Sequence, residues 1–334
     1  MRGGLFAGTE WKVRRMAVQA GIEFGWRVPD FPTDGISRGG VFLDQIERNL
    51  AAARGAGLTS AWVADHMVPW AEWQDAETDT IECWTALSFL AGAYRDLTWG
   101  TIVLCQSYRN PALLAKMVAQ LCNLAPGRVV FGIGAGWKAD EYRAYGYPFP
   151  SPAVRIAQLE DTVEIARRLW TTPGPVSYQG RHYAIEAARL QPKPDPLPPV
   201  MIGGGGERLT LRVVAKHADW YNLPGGTLEN YRHKLEVLAG HCAAVGRDPA
   251  TIRKTWACEC VAVAGDHAEA ERMAQGSPFY NPETAIVGTP DDVAQALGRW
   301  VEAGVSLFQL RFADFPRTDA LELFGREVRP RFGG

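Results

Sequence analysis

Ser60-Ala61-Trp62-Val63-Ala64-Asp65-His66-Met67-Val68-Pro69-Trp70 is an apolar, β-compatible run that stops abruptly at an acid and an imidazole. Uninterrupted apolar runs of this length suit strands covered on both faces, as in parallel sheets. In α/β folds the chemistry gathers at the carboxyl ends of such strands. The break at Asp65-His66 therefore predicts a strand end beside a pocket, with His66 and Trp70 standing in it.

Working outward, residues 18–24 read as an earlier strand ending at Glu23. Residues 98–104, 128–133, 200–202, 218–222, 252–264 and 305–312 read as later strands. Helical spacing separates them: 41–53, 84–94, a helix opening at Pro111 behind Asn110, then 154–170, 207–216, 228–244, 291–303 and a closing 320–328. Only the proline-rich stretch 172–199 interrupts the alternation. Its segment 176–183 looks like a hairpin, and the β/α pattern resumes at once, so it reads as an insertion after the fourth helix. Strand–helix alternation at this length predicts a (β/α)8 TIM barrel in preference to an open doubly wound sheet. Residues 16–334 read as one domain, and 1–15 as a flexible N-terminal extension with no apolar signal core.

With 334 residues and a formal charge of −2, acids and bases mixed along the chain, the sequence gives no reason to expect a nucleic-acid or anionic-membrane partner. No stretch approaches the roughly eighteen apolar residues of a membrane span. The six cysteines are scattered, and Cys258-Glu259-Cys260 lacks the second pair a zinc site needs. Reduced thiols and a cytoplasmic location are expected, with a small molecule as substrate and no metal.

The strand ends form a candidate site. Gly203-Gly204-Gly205-Gly206 lets the backbone approach an anion, with a helix N-terminus following; a merely flexible turn is the plainer alternative. Glu207 would compete for that terminus, and Arg208 would offset it. Gly132, Gly134 and Gly136 begin like a dinucleotide fingerprint, but the helix that should follow is delayed, which suits a backbone cleared for a flat ring or simple strand packing. His66 could move a proton near neutrality, or be a structural partner of Asp65. Trp70, Trp73 and Trp137 could wall an apolar pocket, though each alone could be ordinary packing. Arg311 would suit an anionic group, or pair with Asp314.

Gly132-Ile133-Gly134-Ala135-Gly136-Trp137-Lys138-Ala139-Asp140-Glu141-Tyr142, continuing to Gly146-Tyr147-Pro148-Phe149, resembles the bacterial-luciferase-like superfamily, in particular its branch using the deazaflavin coenzyme F420. Tyr108-Arg109-Asn110-Pro111 and residues 201–206 followed by Ala218-Asp219 match the same branch. The resemblance spans about 17–332 and implies a TIM barrel, usually a homodimer. Residues 64–70 are similar to the corresponding segment of the branch's glucose-6-phosphate dehydrogenases. The resemblance implies that Asp65 contacts the cofactor, that His66 handles the substrate proton and that Trp70 shapes the pocket. It implies a bulge with a non-proline cis peptide at Ile102-Val103 behind the ring, with Ala135 and Gly136 beside it and the phosphate at 203–206. Trp137 stands where those dehydrogenases carry a Glu proposed as general acid, and their sugar-phosphate lysines are missing. Glucose 6-phosphate is therefore not the expected substrate, and Glu23 or Asp140 become the fallback acids. The expectation is hydride transfer between F420 and a small organic substrate. The alternatives are an FMN-dependent monooxygenase using reduced flavin and O2, and a flavin- or deazaflavin-binding protein without turnover.

Overall fold

Eight parallel strands close a ring in the computed structural model, which describes residues 16, 21–71, 74, 75 and 77–333. They are β1 (Glu23–Arg27), β2 (Ser60–Val63), β3 (Thr98–Thr101, resuming as Leu104–Cys105), β4 (Val129–Gly134), β5 (Val200–Gly203), β6 (Trp220–Pro224), β7 (Arg253–Val263) and β8 (Val305–Phe312). Neighbours pair in chain order, and β8 returns to β1 through Glu23↔Leu307 to Trp26↔Leu310. The chain is a (β/α)8 barrel, because its largely buried strands need cover on both faces.

Helices Gly39–Gly55, Cys83–Ala93, Pro111–Leu124, Pro152–Thr171, Thr210–His217, Leu228–Ala244 and Pro290–Glu302 supply the outer cover. Their starts follow capping chemistry. Glu82 accepts from the N–H groups of Trp84 and Thr85, and Asn110 from those of Ala112 and Leu113. Thr289 and Asp292 form a reciprocal capping box. The barrel interior is filled by Trp62, Val130, Met201, Trp220, Ala257 and Leu307. Room for Trp62 comes from Gly25 and Gly100, where an added Cβ would lie 2.4 and 2.2 Å from its indole.

Several boundaries differ from expectation. Glu23 opens β1 instead of ending it, and its carboxylate takes a 2.8 Å hydrogen bond from Arg253 Nη2 on the rim opposite the strand ends. The apolar residues Phe24 and Trp26 carry the strand past Glu23 to Arg27, which moves the mouth four residues on. Residues 17–20, the beginning of the expected strand, and the 1–15 extension lie outside the described residues. The third strand breaks at Ile102-Val103, whose peptide bond is cis. After β5 the helix starts at Thr210, not Glu207, because Glu207 turns outward to Lys234 and His233. Within 172–199 the antiparallel pair is Val176–Gln179 with Ala184–Ala188, so the expected hairpin covers only its first strand and turn. Between β7 and Pro290–Glu302 the chain adds a helix, His267–Gly276, and a strand, Ile286–Gly288, that pairs in parallel with the end of β7. This polar, Ser/Asn/Pro-punctuated stretch lacks the apolar periodicity that would reveal them.

Candidate active site

The carboxyl ends of β2 to β5 surround a cavity of about 400 Å³. Its walls include Asp65 and His66, Ile102 and Val103, Gly134 to Trp137 by way of Ala135 and Gly136, and Gly203, Gly204, Gly206 and Thr210. Residues far apart in the chain meet here because parallel β/α units bring all strand ends to one rim.

Glycines make the cavity possible. Val103 sits against β4 and β5 so closely that an added Cβ on Gly134 or Gly203 would lie 2.8 or 2.9 Å from its methyl groups. Gly136 has φ +73° and would place a Cβ 2.1 Å from the Tyr142 hydroxyl and 2.6 Å from Cys105 Sγ. At the β5 end, Gly204 has φ +133°, and its N–H donates to Asn222 O at 3.1 Å. Gly205 turns away from the cavity towards Leu223. The first turn of Thr210–His217 has no side-chain cap, and Glu207 is held by Lys234 and His233. Helix N–H groups at that end thus meet no competing carboxylate from Glu207.

Asp65 is buried and fully engaged. Its Oδ2 accepts from the Cys105 N–H and from Arg109 Nη1, both at 2.8 Å, and its Oδ1 from Arg109 Nη2 at 3.0 Å. A bidentate pair plus a backbone donor ties the resumed part of β3 to the end of β2. Asp65 therefore lines the cavity as an anchor of its floor. It makes no pair with His66.

The partner of His66 is Glu141, in the first turn of the short helix Ala139–Ala144. His66 Nδ1 lies 3.1 Å from Glu141 Oε2. The same oxygen accepts from the Tyr108 hydroxyl at 2.8 Å, while Oε1 accepts from the N–H groups of Met67 (2.5 Å) and Val68 (3.2 Å). Burial alone would raise the Glu141 pKa, but His66 and these donors outweigh it and hold the carboxyl below its usual range. Asp140, the fallback acid next door, points to solvent, 67% exposed and 2.8 Å from Lys138 Nζ. With Glu23 on the far rim, neither fallback acid reaches the cavity. Two adjacent acids at a helix start cannot both face inward, and nothing in the sequence singled out Glu141.

Two tryptophans flank the imidazole. Trp137 meets it edge-on at 5.7 Å and is 61% exposed at the cavity lip. Trp70 lies 6.2 Å away on another side, outside the cavity lining, packed on Phe279 at 5.4 Å and Phe31 at 6.0 Å. Trp73 lies outside the described residues. Arg311 also stays off the cavity. It stands 3.5 Å from Glu259 and 3.8 Å from Asp30 and stacks on Phe279 at 3.9 Å, while Asp314 instead accepts from the Ala320 N–H.

Lys138 and Arg155 line the cavity without having been singled out from the sequence. Arg155 donates to Pro150 O and lies 4.0 Å over Phe149, its Nε without a hydrogen-bond partner among the described residues. Cys105 also lines it, its thiol 2.9 Å from the Tyr142 hydroxyl and pushed up to about 12 by burial, which leaves it protonated and a poor nucleophile near neutrality. Among the described residues, no group of three or more His, Cys, Asp or Glu is placed to hold a metal.

Comparison with known proteins supplies independent findings. The profile of the luciferase-like monooxygenase family matches residues 22–282. The chain is similar to an F420-dependent hydroxymycolic acid dehydrogenase of Mycobacterium tuberculosis, 29% identical over 311 residues, covering 86% of this chain and 84% of that protein. It is similar to an F420-dependent glucose-6-phosphate dehydrogenase of Kineococcus radiotolerans, 27% identical over 304 residues, covering 82% and 88%. Among solved structures, an F420-dependent secondary alcohol dehydrogenase in complex with an F420-acetone adduct superposes with a TM-score of 0.79 at 20% identity, covering 92% of this chain and 98% of that one. At that identity the superposition speaks for the barrel alone.

Proposed function

The chain belongs to the luciferase-like monooxygenase family, and on that premise we propose that it is an F420-dependent oxidoreductase acting on a small organic substrate. The carrying observation is the cavity floored by Gly134, Gly136 and Gly203, with His66 on its wall and an uncapped helix turn at Thr210 beyond it. A flat ring needs a level floor, and the absence of a Cβ at those glycines lets Val103, Cys105 and Tyr142 pack close against β4 and β5 instead of rising into the cavity. The residues present therefore fit a deazaflavin. Ile102, Val103, Ala135 and Gly136 would hold its ring, and Gly203, Gly204, Gly206 and Thr210 its phosphate, with Lys138 and Arg155 as nearby cations. Similarity to relatives whose names specify F420 favours it over FMN.

When bound, F420 supplies hydride chemistry. The chain's own contribution is binding, water exclusion and proton handling. His66 presents an imidazole to the cavity and exchanges a proton with the substrate, while Trp137 and Trp70 restrict its surroundings. Trp137 in place of an acid, with no second free carboxylate lining the cavity among the described residues, makes His66 the proton-exchanging group and favours an apolar substrate.

A cytoplasmic homodimer belongs to the same proposal. It is supported by six free, buried cysteines and by the exposed apolar residues Phe89, Leu113 and Leu124 on Cys83–Ala93 and Pro111–Leu124. Sedimentation of the purified protein as a dimer is the expected result; a monomer at micromolar concentration would refute that part.

Turnover tests the main proposal. Purified protein is incubated with oxidised or reduced F420 and a panel of alcohols, enones and imines, following the deazaflavin's visible absorbance. Substrate-dependent change is expected. Oxygen-dependent turnover with reduced FMN instead would establish the monooxygenase reading, and tight cofactor binding without any turnover a binding protein.

A further inference from the structure

We propose that Glu141 is a positioning residue which fixes the tautomer of His66, keeping the proton of the neutral imidazole on Nδ1 and leaving Nε2 as the nitrogen that meets the substrate. The inference rests on the reading of His66 as the proton-exchanging group, and adds the device that makes it one.

The geometry leaves the ionised Glu141 a single hydrogen-bonding pattern. Its Oε1 is committed to the N–H groups of Met67 and Val68, which can only donate. Its Oε2 receives the Tyr108 hydroxyl and faces His66 Nδ1 at 3.1 Å. An ionised carboxylate is acceptor-only, so Nδ1 must carry hydrogen to complete the contact. The carboxylate is 1% exposed and remains ionised because its donors outweigh its burial. A protonated Glu141 would instead donate to a bare Nδ1, so it is the ionised carboxylate, held by four donor contacts, that fixes the proton on Nδ1.

The other groups around the ring do not compete for its nitrogens. Trp137 and Trp70 contact it through aromatic faces and edges. Asp65, the chain neighbour, is saturated by Arg109 and the Cys105 N–H. Lys138, on the same cavity, is paired with Asp140. Nε2 is thus the ring nitrogen left for chemistry: a base in the neutral form, an acid in the cationic form.

This arrangement gives an unusual consequence for one substitution. In Glu141→Gln the amide oxygen must stay with Met67 and Val68, since their N–H groups accept no hydrogen bond. The amide nitrogen then faces His66 and donates to Nδ1. The imidazole proton is forced onto Nε2, the opposite tautomer, in a side chain of nearly unchanged size.

Imidazole nitrogen NMR on protein without cofactor or substrate reads the tautomer directly, with His66→Ala identifying the signal. In the wild type, the neutral ring is expected to carry hydrogen on Nδ1 and none on Nε2; hydrogen on Nε2 overturns the proposal even if no variant folds. In folded Glu141→Gln the pattern is expected to reverse, and an unchanged pattern overturns it. Because no F420 is present, loss of the cofactor reading would leave this result standing, and failure here would not remove the cofactor.

Discussion

The mouth of the barrel has two unlike halves. Over β2 to β5, glycines clear a cavity, and the acids at its edge, Asp65 and Glu141, have every donor they need. Over β7, β8 and β1 the space is filled by Arg27, Asp30, Glu259 and Arg311 under Phe279 and Trp70. There Arg27 pairs with Glu259, but the carboxylate of Asp30 is fully buried with no hydrogen-bond partner among the described residues. Burial and the neighbouring Arg27 push the Arg311 pKa down to about 10, despite the two acids. One half leaves an open cavity, the half proposed to take the ligand; the other spends its charges on itself.

That contrast can be broken experimentally. The largest expected effect is on the filled half. Arg311→Met removes the cation beside the buried Asp30 and leaves Glu259 to Arg27, and should cost about 3 kcal/mol of stability, read as a lower urea midpoint, while F420 affinity stays near wild type. Lost affinity with intact stability would transfer Arg311 to the ligand site. On the open half, His66→Ala should lower kcat about 100-fold with cofactor binding retained; an unchanged kcat would remove His66 from the chemistry. Gly136→Ala, driven into Tyr142 at positive φ, should cost about 2 kcal/mol and weaken F420 binding. Equal stability and affinity would show that the floor does not depend on that glycine.

Acid pH gives a smaller effect. The folded-state pKa of Glu141 lies below its ordinary value of 4.5. Its stabilising contribution is therefore complete above pH 4.5 and is lost as pH falls through the lower folded value. The stability gap between wild type and Glu141→Gln, from urea unfolding at several pH values, should shrink in acid. A gap constant with pH would mean that the charge is immaterial. Smallest of all, Trp137→Ala at the exposed lip should change stability by no more than about 0.5 kcal/mol yet broaden the range of substrates turned over.

The open half was largely readable from sequence because its signals are local. Asp65-His66 ends an apolar run, the glycines stand at strand ends, and β/α alternation delivers those ends to one rim. Helix Leu228–Ala244 has the expected bounds for the same reason. The filled half was not readable, since pairs such as Arg27 with Glu259 join strands at opposite ends of the chain. Glu23 misled because apolar residues lie on both sides of it, so its place at the start or end of a strand depends on register. Glu141 escaped because helix phase, not residue type, decides which of two adjacent acids faces inward.

The most direct test of the central claim is a calorimetric titration of the purified wild-type protein with F420 and, separately, with FMN, repeated on Gly134→Val to block the cavity floor. The expected result is F420 binding with a Kd of about 1 μM or tighter, about −8 kcal/mol, much weaker FMN binding, and loss of the F420 signal in the variant. Tight FMN binding with none of F420, or F420 binding that survives the blocked floor, would contradict it.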